Sequence, residues 1–349
     1  MHFHKSLLCT LSAVLCFVAN AKVPQHEPDA AQRAYMQSHN ARQIPDLRDG
    51  AEDVVRPFAE YETARFVLMS GEDAGESKVV KAQIAKHLPD GVDFVVLTNN
   101  GIPTLATLHN ALSDYISKDR IHTIDVKSSG YGFWARDGIP VPVFMNNQSL
   151  GLVDARYYHN YEPDNFVAQA FNVPLLSHTY YYEGGNFLAD TRGNCLLIER
   201  EIPKVIFERY YGCKSVTMLP HLAGIGHVDE RIKLLSDTLA LTDRIEYKTA
   251  LEALGYTVHI LPTPAGKYET YVNALFVNGT IFVPIYNEVT DSAAIAKYEE
   301  FGLKVVPIDT RHLSNIGHGS IHCITMTYPE ASLEDLQVAL DGYYSKRSE

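Results

Sequence analysis

The residues best able to do chemistry lie in five short polar stretches spread along the chain. Cys323 follows His322, just after the flexible Gly317-His318-Gly319 run. A thiolate is the strongest side-chain nucleophile near neutral pH, and a neighbouring cation lowers its pKa. Cys323 therefore reads either as a nucleophile or as a small core residue, since a free cysteine packs like one. Upstream stand Trp134-Ala135-Arg136-Asp137, Glu183-Gly184-Gly185-Asn186, Gly226-His227-Val228-Asp229 and Tyr271-Val272-Asn273. Taken singly, each has a plain reading. Gly184-Gly185 is a turn, His227 a surface or core histidine, Arg136-Asp137 a local ion pair and Trp134 core filler.

Together they describe a reaction. A thiol, an imidazole and several carboxylates suit a cationic substrate with an electrophilic carbon. A guanidinium is such a group, planar, always charged, and matched to carboxylates by its fork of N–H donors. Cys323 would attack its central carbon. His227 would protonate the leaving nitrogen and later deprotonate water, and Glu183 would hold the imidazole in its working tautomer. Zinc held by Cys323, His227, His322 and Asp229 is an alternative without tight ligand spacing beyond His227-x-Asp229. A papain-like protease would carry its cysteine early and its histidine late, the reverse of this order. A binding protein for cationic ligands would need the carboxylates but no thiol.

The elements that must position these residues repeat. The unit is a helix, a Gly or Asn stop, an apolar strand, a polar stretch and a β-hairpin. The stops are Asn172, Gly212, Gly255 and Gly302. Helices over 202–211, 243–254 and 291–301 precede three of them. The hairpins turn at Asn146-Asn147, Arg192-Gly193, Ser236-Asp237 and Asn278-Gly279, the last the strongest short hairpin signal. The polar stretches recur every 44 to 50 residues at one phase of this unit. In a closed ring of repeats one phase faces one axis, which brings Asp137, Glu183, His227, Asp229, Asn273 and Cys323 together. Before the repeats, strands are expected over 65–70, 92–98 and 121–126, and helices over 77–88 and 103–117.

The N-terminus is different. Lys5 precedes an almost wholly apolar run from Ser6 to Ala19, and Ala19-Asn20-Ala21 fits a small-x-small cleavage site. Residues 1–21 are expected to be a secretory signal peptide, too short to span a bilayer comfortably. The expected product is periplasmic or secreted, with no membrane anchor left. Residues 22–63 read as an N-terminal arm, helical in part between Asp29 and Arg42, and 64–345 as a single domain. With 30 basic and 42 acidic residues the net charge is −12, which excludes a nucleic-acid partner. Of five cysteines, Cys9 and Cys16 leave with the signal peptide. Cys195 and Cys213 are close enough in sequence to bridge in an oxidising compartment, which leaves Cys323 as the natural free thiol.

From Arg65 to Pro329 the motifs Trp134-x-Arg-Asp137, Glu183-Gly-Gly-Asn186, Gly226-His-Val-Asp229, Tyr271-Val-Asn273 and Gly319-Ser-Ile-His-Cys-Ile-Thr325 resemble the agmatine deiminase and Porphyromonas-type peptidyl-arginine deiminase family. This is a branch of the guanidino-group-modifying superfamily. The resemblance implies an α/β fold, the five-bladed propeller called the pentein fold, with a central active site. It implies that Cys323 forms a covalent thiouronium, that Asp137 and Asp229 bind the guanidinium, and that His227 is the acid/base supported by Glu183. Asn273 would line the pocket, with Trp134, Arg136, Asn186, Tyr271 and Gly319 as further substrate-binding positions. No cofactor or metal is implied, and the products are ammonia and a citrulline or carbamoyl-amine. The signal peptide favours a peptidyl-arginine substrate, and the Ile321-His-Cys-Ile-Thr325 motif is closer to the agmatine branch. The peptidyl branch grips a C-terminal carboxylate with two arginines after its first aspartate; here that stretch holds Arg156 without an Arg-x-Arg pair, and Gly138 departs from the agmatine pattern. The oligomeric state is not legible. Cys323→Ser should abolish turnover and leave substrate binding detectable; retained turnover would remove the nucleophile assignment.

Overall fold

Positive backbone dihedrals punctuate the chain where the sequence places its stops. The structure, a computed structural model, describes residues 22–45, 53–72, 76–99, 112–127, 132–222 and 224–330. The expected signal peptide and most of the helix expected over 103–117 lie outside them. Asn172, Gly212, Gly255 and Gly302 take φ of 52°, 72°, 89° and 75°. That left-handed conformation costs most side chains energy but suits glycine and asparagine. It ends the helices Asp164–Phe171, Lys204–Tyr210, Ile245–Ala253 and Asp291–Glu299. The chain then enters the strands Leu175–Tyr181, Ser215–Leu219, Thr257–Ile260 and Lys304–Asp309.

Each of these strands completes a sheet begun by a hairpin. Leu188–Ala189 pairs antiparallel with Asn194–Ile198, which pairs parallel with Ser215–Leu219. Ile232–Ser236, Leu239–Thr242 and Thr257–Ile260 repeat the plan, as do Leu275–Val277, Thr280–Ile285 and Lys304–Asp309. Parallel neighbours require a crossover, and the helices supply it. At the third of these hairpins Asn278 and Gly279 have φ of 47° and 79°, the two positive values a two-residue I′ turn demands. Val141–Met145, Leu150–Arg156 and Leu175–Tyr181 form a further such sheet, extended at its edge by Val54–Pro57.

The fifth sheet joins the two ends of the repeat region. Thr325–Pro329 lies antiparallel to Ala64–Ser70, which continues parallel to Asp93–Asn99 and Ile121–Val126. The fold is thus mixed α/β with five sheets among the described residues, none of which closes on itself. Apolar clusters span neighbouring sheets. Phe66, Ile124, Phe171 and Tyr328 share one, and Trp134, Leu275, Ile308 and Cys323 another. Each large side chain so buried contributes about 1.5–3 kcal/mol. Every polar stretch shortly precedes a strand of a different sheet, so packing the sheets fixes the stretches.

The helix α1 (Ala30–Arg42) opens with a capping box between Asp29 and Gln32. It is tied to the edge strand through Asn40, which donates to the Tyr181 carbonyl at 3.0 Å and accepts from the Tyr181 amide at 2.8 Å. Cys195 and Cys213 are bonded across 18 residues, and Cys323 is free and buried. A cross-link closing a loop of that size contributes about 3 kcal/mol through the unfolded state. Cys195→Ser/Cys213→Ser should lower the unfolding free energy in denaturant by about that amount; an unchanged midpoint would show that packing alone holds the two strands.

Candidate active site

Gly185 marks the point on which the polar stretches converge. A Cβ placed there would lie 2.8 Å from Asp137 Oδ1, 2.8 Å from His227 Nδ1 and 3.3 Å from Asp229 Oδ2. Only glycine leaves room for the three together, and its amide donates to Asp137 Oδ1 at 2.9 Å. Asp137 arrives on the single turn Ala135–Gly138, and Asp229 on the 3-10 turn Val228–Glu230.

Cys323 adjoins this point. Its Sγ is 3.8 Å from Asp229 Oδ2 and 3.4 Å from Asn273 Oδ1, which also accepts from the Cys323 amide. The thiol is fully buried. Burial and then the charges of Asp229, Glu230 and Asp137 push it well above the usual thiol range. Cys323 is therefore a protonated thiol facing carboxylates, and its ionisation needs a cation.

His227 sits across the site. Its Nδ1 is 3.6 Å from Asp137 Oδ1, and its Nε2 3.5 Å from Glu183 Oε2. Burial disfavours the charged ring, but Asp137 and Glu183 outweigh it and raise the group to about 9. Burial likewise opposes the ionised form of Asp137, and the facing His227 and His26 offset it, bringing the carboxyl to about 2. Glu183 is held low, against its burial, by His227. The free site therefore holds an imidazolium between two carboxylates.

Asp229 is fixed from beneath. His322 Nδ1 meets Asp229 Oδ2 at 2.6 Å, and its Nε2 meets Glu60 Oε2 at 2.9 Å. Lys233 Nζ donates to the same Glu60 oxygen at 2.8 Å. Burial raises the Asp229 carboxyl, but the His322 contact brings it below the usual range. Glu60 is likewise held low against burial by His322 and Lys233. The sequence reading missed Glu60 and Lys233, which stand at no repeated phase, and used His322 as the neighbour of the thiol and as a metal ligand, not as the partner of Asp229.

The other motif residues divide. Trp134 and Gly319 face each other at the site, since a Cβ on Gly319 would lie 2.5 Å from the indole. Asn273 borders the thiol. Arg136 runs away from the cluster, its guanidinium 3.9 Å from Glu60 Oε1 and 3.2 Å from Met326 Sδ. Asn186 is a brace, donating to the Ile198 carbonyl at 2.8 Å and accepting from the Ile198 and Val228 amides. The Tyr271 hydroxyl turns to Thr290 and Asp291, both at 2.7 Å. Arg156 is exposed at its strand end.

A residue from the N-terminal arm enters the site. His26 is buried, its Nε2 hydrogen-bonded to Asp137 Oδ2, its ring stacked on Trp134 at 4.2 Å. No periodicity in residues 22–45 pointed to it. Among the described residues the group with three ligand atoms within 4.8 Å of one another is His26, Asp137 and His227; the zinc set weighed from the sequence is not among such groups. A cavity of about 270 Å³ leads off from His227 and Glu183, walled by α1 and lined also by Arg33, Tyr181 and Arg200.

Residues 208–329 match the family model of the Porphyromonas-type peptidyl-arginine deiminases. A Shewanella frigidimarina protein provisionally named agmatine deiminase is 23% identical, over 60% of this chain and 76% of its own. An agmatine deiminase of Enterococcus faecalis superposes with a TM-score of 0.67 at 16% identity, covering 82% of this chain and 100% of that one. For an agmatine deiminase of C. jejuni the values are 0.67, 14%, 82% and 99%. At these identities the structural likeness establishes the fold, the mixed α/β fold of pentein-type deiminases.

The charge balance around His227 gives a direct test. Its ring should titrate near pH 9 by NMR in the free protein. Glu183→Gln removes a group that favours the protonated ring, so the midpoint should move down. A wild-type midpoint in the ordinary histidine range would contradict this.

Proposed function

We propose that this chain, which belongs to the agmatine deiminase and Porphyromonas-type peptidyl-arginine deiminase family, is an exported deiminase of peptidyl arginine. As a member of this family it is a guanidino-group deiminase, a hydrolase acting on a guanidino C–N bond. We read its five sheets as the blades of a five-bladed propeller, because each contains a strand that follows one of the five polar stretches, and these stretches meet at one site.

The observation that carries the reading is a buried thiol 3.8 Å from a carboxylate, with a second carboxylate and an imidazolium adjoining. A guanidinium entering between Asp137 and Asp229 supplies the missing positive charge. It offsets the two groups that hold the thiol up, so binding ionises Cys323 and its proton passes to solvent. The thiolate attacks the guanidinium carbon, forming a C–S bond. His227 donates its proton to a terminal nitrogen, the C–N bond breaks, and ammonia leaves. The neutral imidazole then takes a proton from water as the hydroxide adds to the thiouronium carbon. The C–S bond breaks, thiolate is regenerated, the hydroxyl proton passes to solvent as the C=O bond forms, and the ureido product departs. Asn273 fixes the sulfur, and Glu183 keeps Nε2 of the imidazole protonated.

Two features support export: the signal-like N-terminus and the Cys195–Cys213 bond, which persists in oxidising compartments. The cavity beside His227 supports a substrate larger than a simple amine, because Arg33, Arg200, Glu199 and Glu201 offer partners for main-chain groups. Agmatine is the second reading, favoured by the names of the relatives quoted above.

Ammonia release should be compared for agmatine, free arginine, an N-acylated arginine amide and a peptide ending in arginine. Highest kcat/KM for the arginine amide or the peptide supports the first reading; preference for agmatine overturns it for the second. Asp137→Asn and Asp229→Asn should each lower kcat/KM by about 10²–10³, the usual cost of removing one preorganised electrostatic partner. A variant near the wild-type rate would exclude that carboxylate from the clamp.

A further inference from the structure

The Asp137 carboxylate that a guanidinium must use is already engaged by His26. The ring lies flat on Trp134, with an interplanar angle of 13°. Its Nε2 faces Asp137 Oδ2 and its Nδ1 faces the His318 carbonyl at 3.3 Å. Each ring nitrogen thus meets an oxygen acceptor, a carboxylate on one side and a carbonyl on the other. A planar nitrogen group flat on an aromatic face, with its edge on a carboxylate, is the arrangement a guanidinium would adopt.

The backbone around it is held like a bound peptide. The His26 amide donates to the Gly317 carbonyl at 2.8 Å, and the Tyr158 hydroxyl donates to the His26 carbonyl. On one side Gln25 Nε2 donates to the Ile316 carbonyl at 3.1 Å, and Val23 is buried in the cluster that contains Trp134 and Cys323. On the other side Glu27 meets His318 Nδ1 and the Tyr268 hydroxyl, both at 3.3 Å. The groove thus accepts polypeptide on both sides of the residue whose side chain enters the site. Gly317 and Gly319 leave the space: a Cβ on the first would lie 2.6 Å from Val23, and on the second 2.8 Å from His26 Nδ1.

We infer that residues 23–28 are an intramolecular occupant of the substrate groove, that His26 holds the place of a guanidinium, and that the groove reads an arginine carried within an extended polypeptide. The inference about substrate rests on the deiminase reading; the inference about occupancy does not. Substrate and strap compete for one place, so the strap raises the apparent KM of every substrate and leaves kcat unchanged. A strap closed nine-tenths of the time raises KM about tenfold.

The test uses the full chain, wild type, His26→Ala and Val23→Asp, the last unseating the strap without touching Asp137. Two readouts are taken: alkylation of Cys323 by 2-chloroacetamidine, a small guanidinium-like electrophile, and ammonia release from agmatine and from a peptide with an internal arginine. Both variants should label about tenfold faster, with KM lowered by a similar factor and kcat unchanged. In His26→Ala the peptide should have the higher kcat/KM. Unchanged labelling in both variants overturns the occupancy. A lower kcat at constant KM in His26→Ala also overturns it, because His26 would then act in the chemistry. Agmatine preferred in the opened variant overturns the substrate class. Faster labelling with no ammonia from either substrate sustains the occupancy and refutes the deiminase reading.

Discussion

The carboxylates gathered in and beneath the site of one buried thiol are the constraint on which the rest of this structure depends. An ionised carboxylate taken out of water is costly unless charge and hydrogen bonds answer it. The protein answers Asp137 and Glu183 with His227, and Asp229 and Glu60 with His322 and Lys233. These groups come from segments of different sheets and the loops ahead of them, so the folded framework and the charge balance support each other. Removing one partner would leave its mate buried and unpaired, which costs far more than the pair contributes.

The same balance dictates the chemistry. It keeps Cys323 protonated in the free site and His227 charged, the resting state for a reaction that begins when a cation arrives. A site of this kind is inert toward neutral electrophiles near neutral pH and selective for a planar cation. The same balance has a protective effect, since a buried, protonated sulfur is slow to oxidise. Asp137 accepts from the Gly185 amide on one oxygen, and at the other the arm places His26.

Much of this frame was legible in the sequence, because local backbone demands leave local marks. The stops at Asn172, Gly212, Gly255 and Gly302, and the Asn278-Gly279 turn, are positions where few residues but glycine and asparagine fit. The common phase of Asp137, Glu183, His227, Asp229, Asn273 and Cys323 followed from them. What was not legible is contact between segments of unlike phase. Glu60 precedes the first repeat and reaches His322 across the whole fold. His26 lies in a polar stretch that gives no periodic signal. Arg136 and Tyr271 sit inside the motifs yet turn outward to Glu60 and to Asp291, a choice of rotamer that spacing does not encode.

The central claim is that the cationic ligand itself ionises the thiol. It is tested most directly by ultraviolet thiolate absorbance of the full chain, with Cys323→Ala as the blank, before and after adding a non-reactive amidinium. The account predicts no thiolate signal in the free protein near neutral pH and its appearance on saturation. A thiolate already present without ligand, or none at saturation, would contradict it.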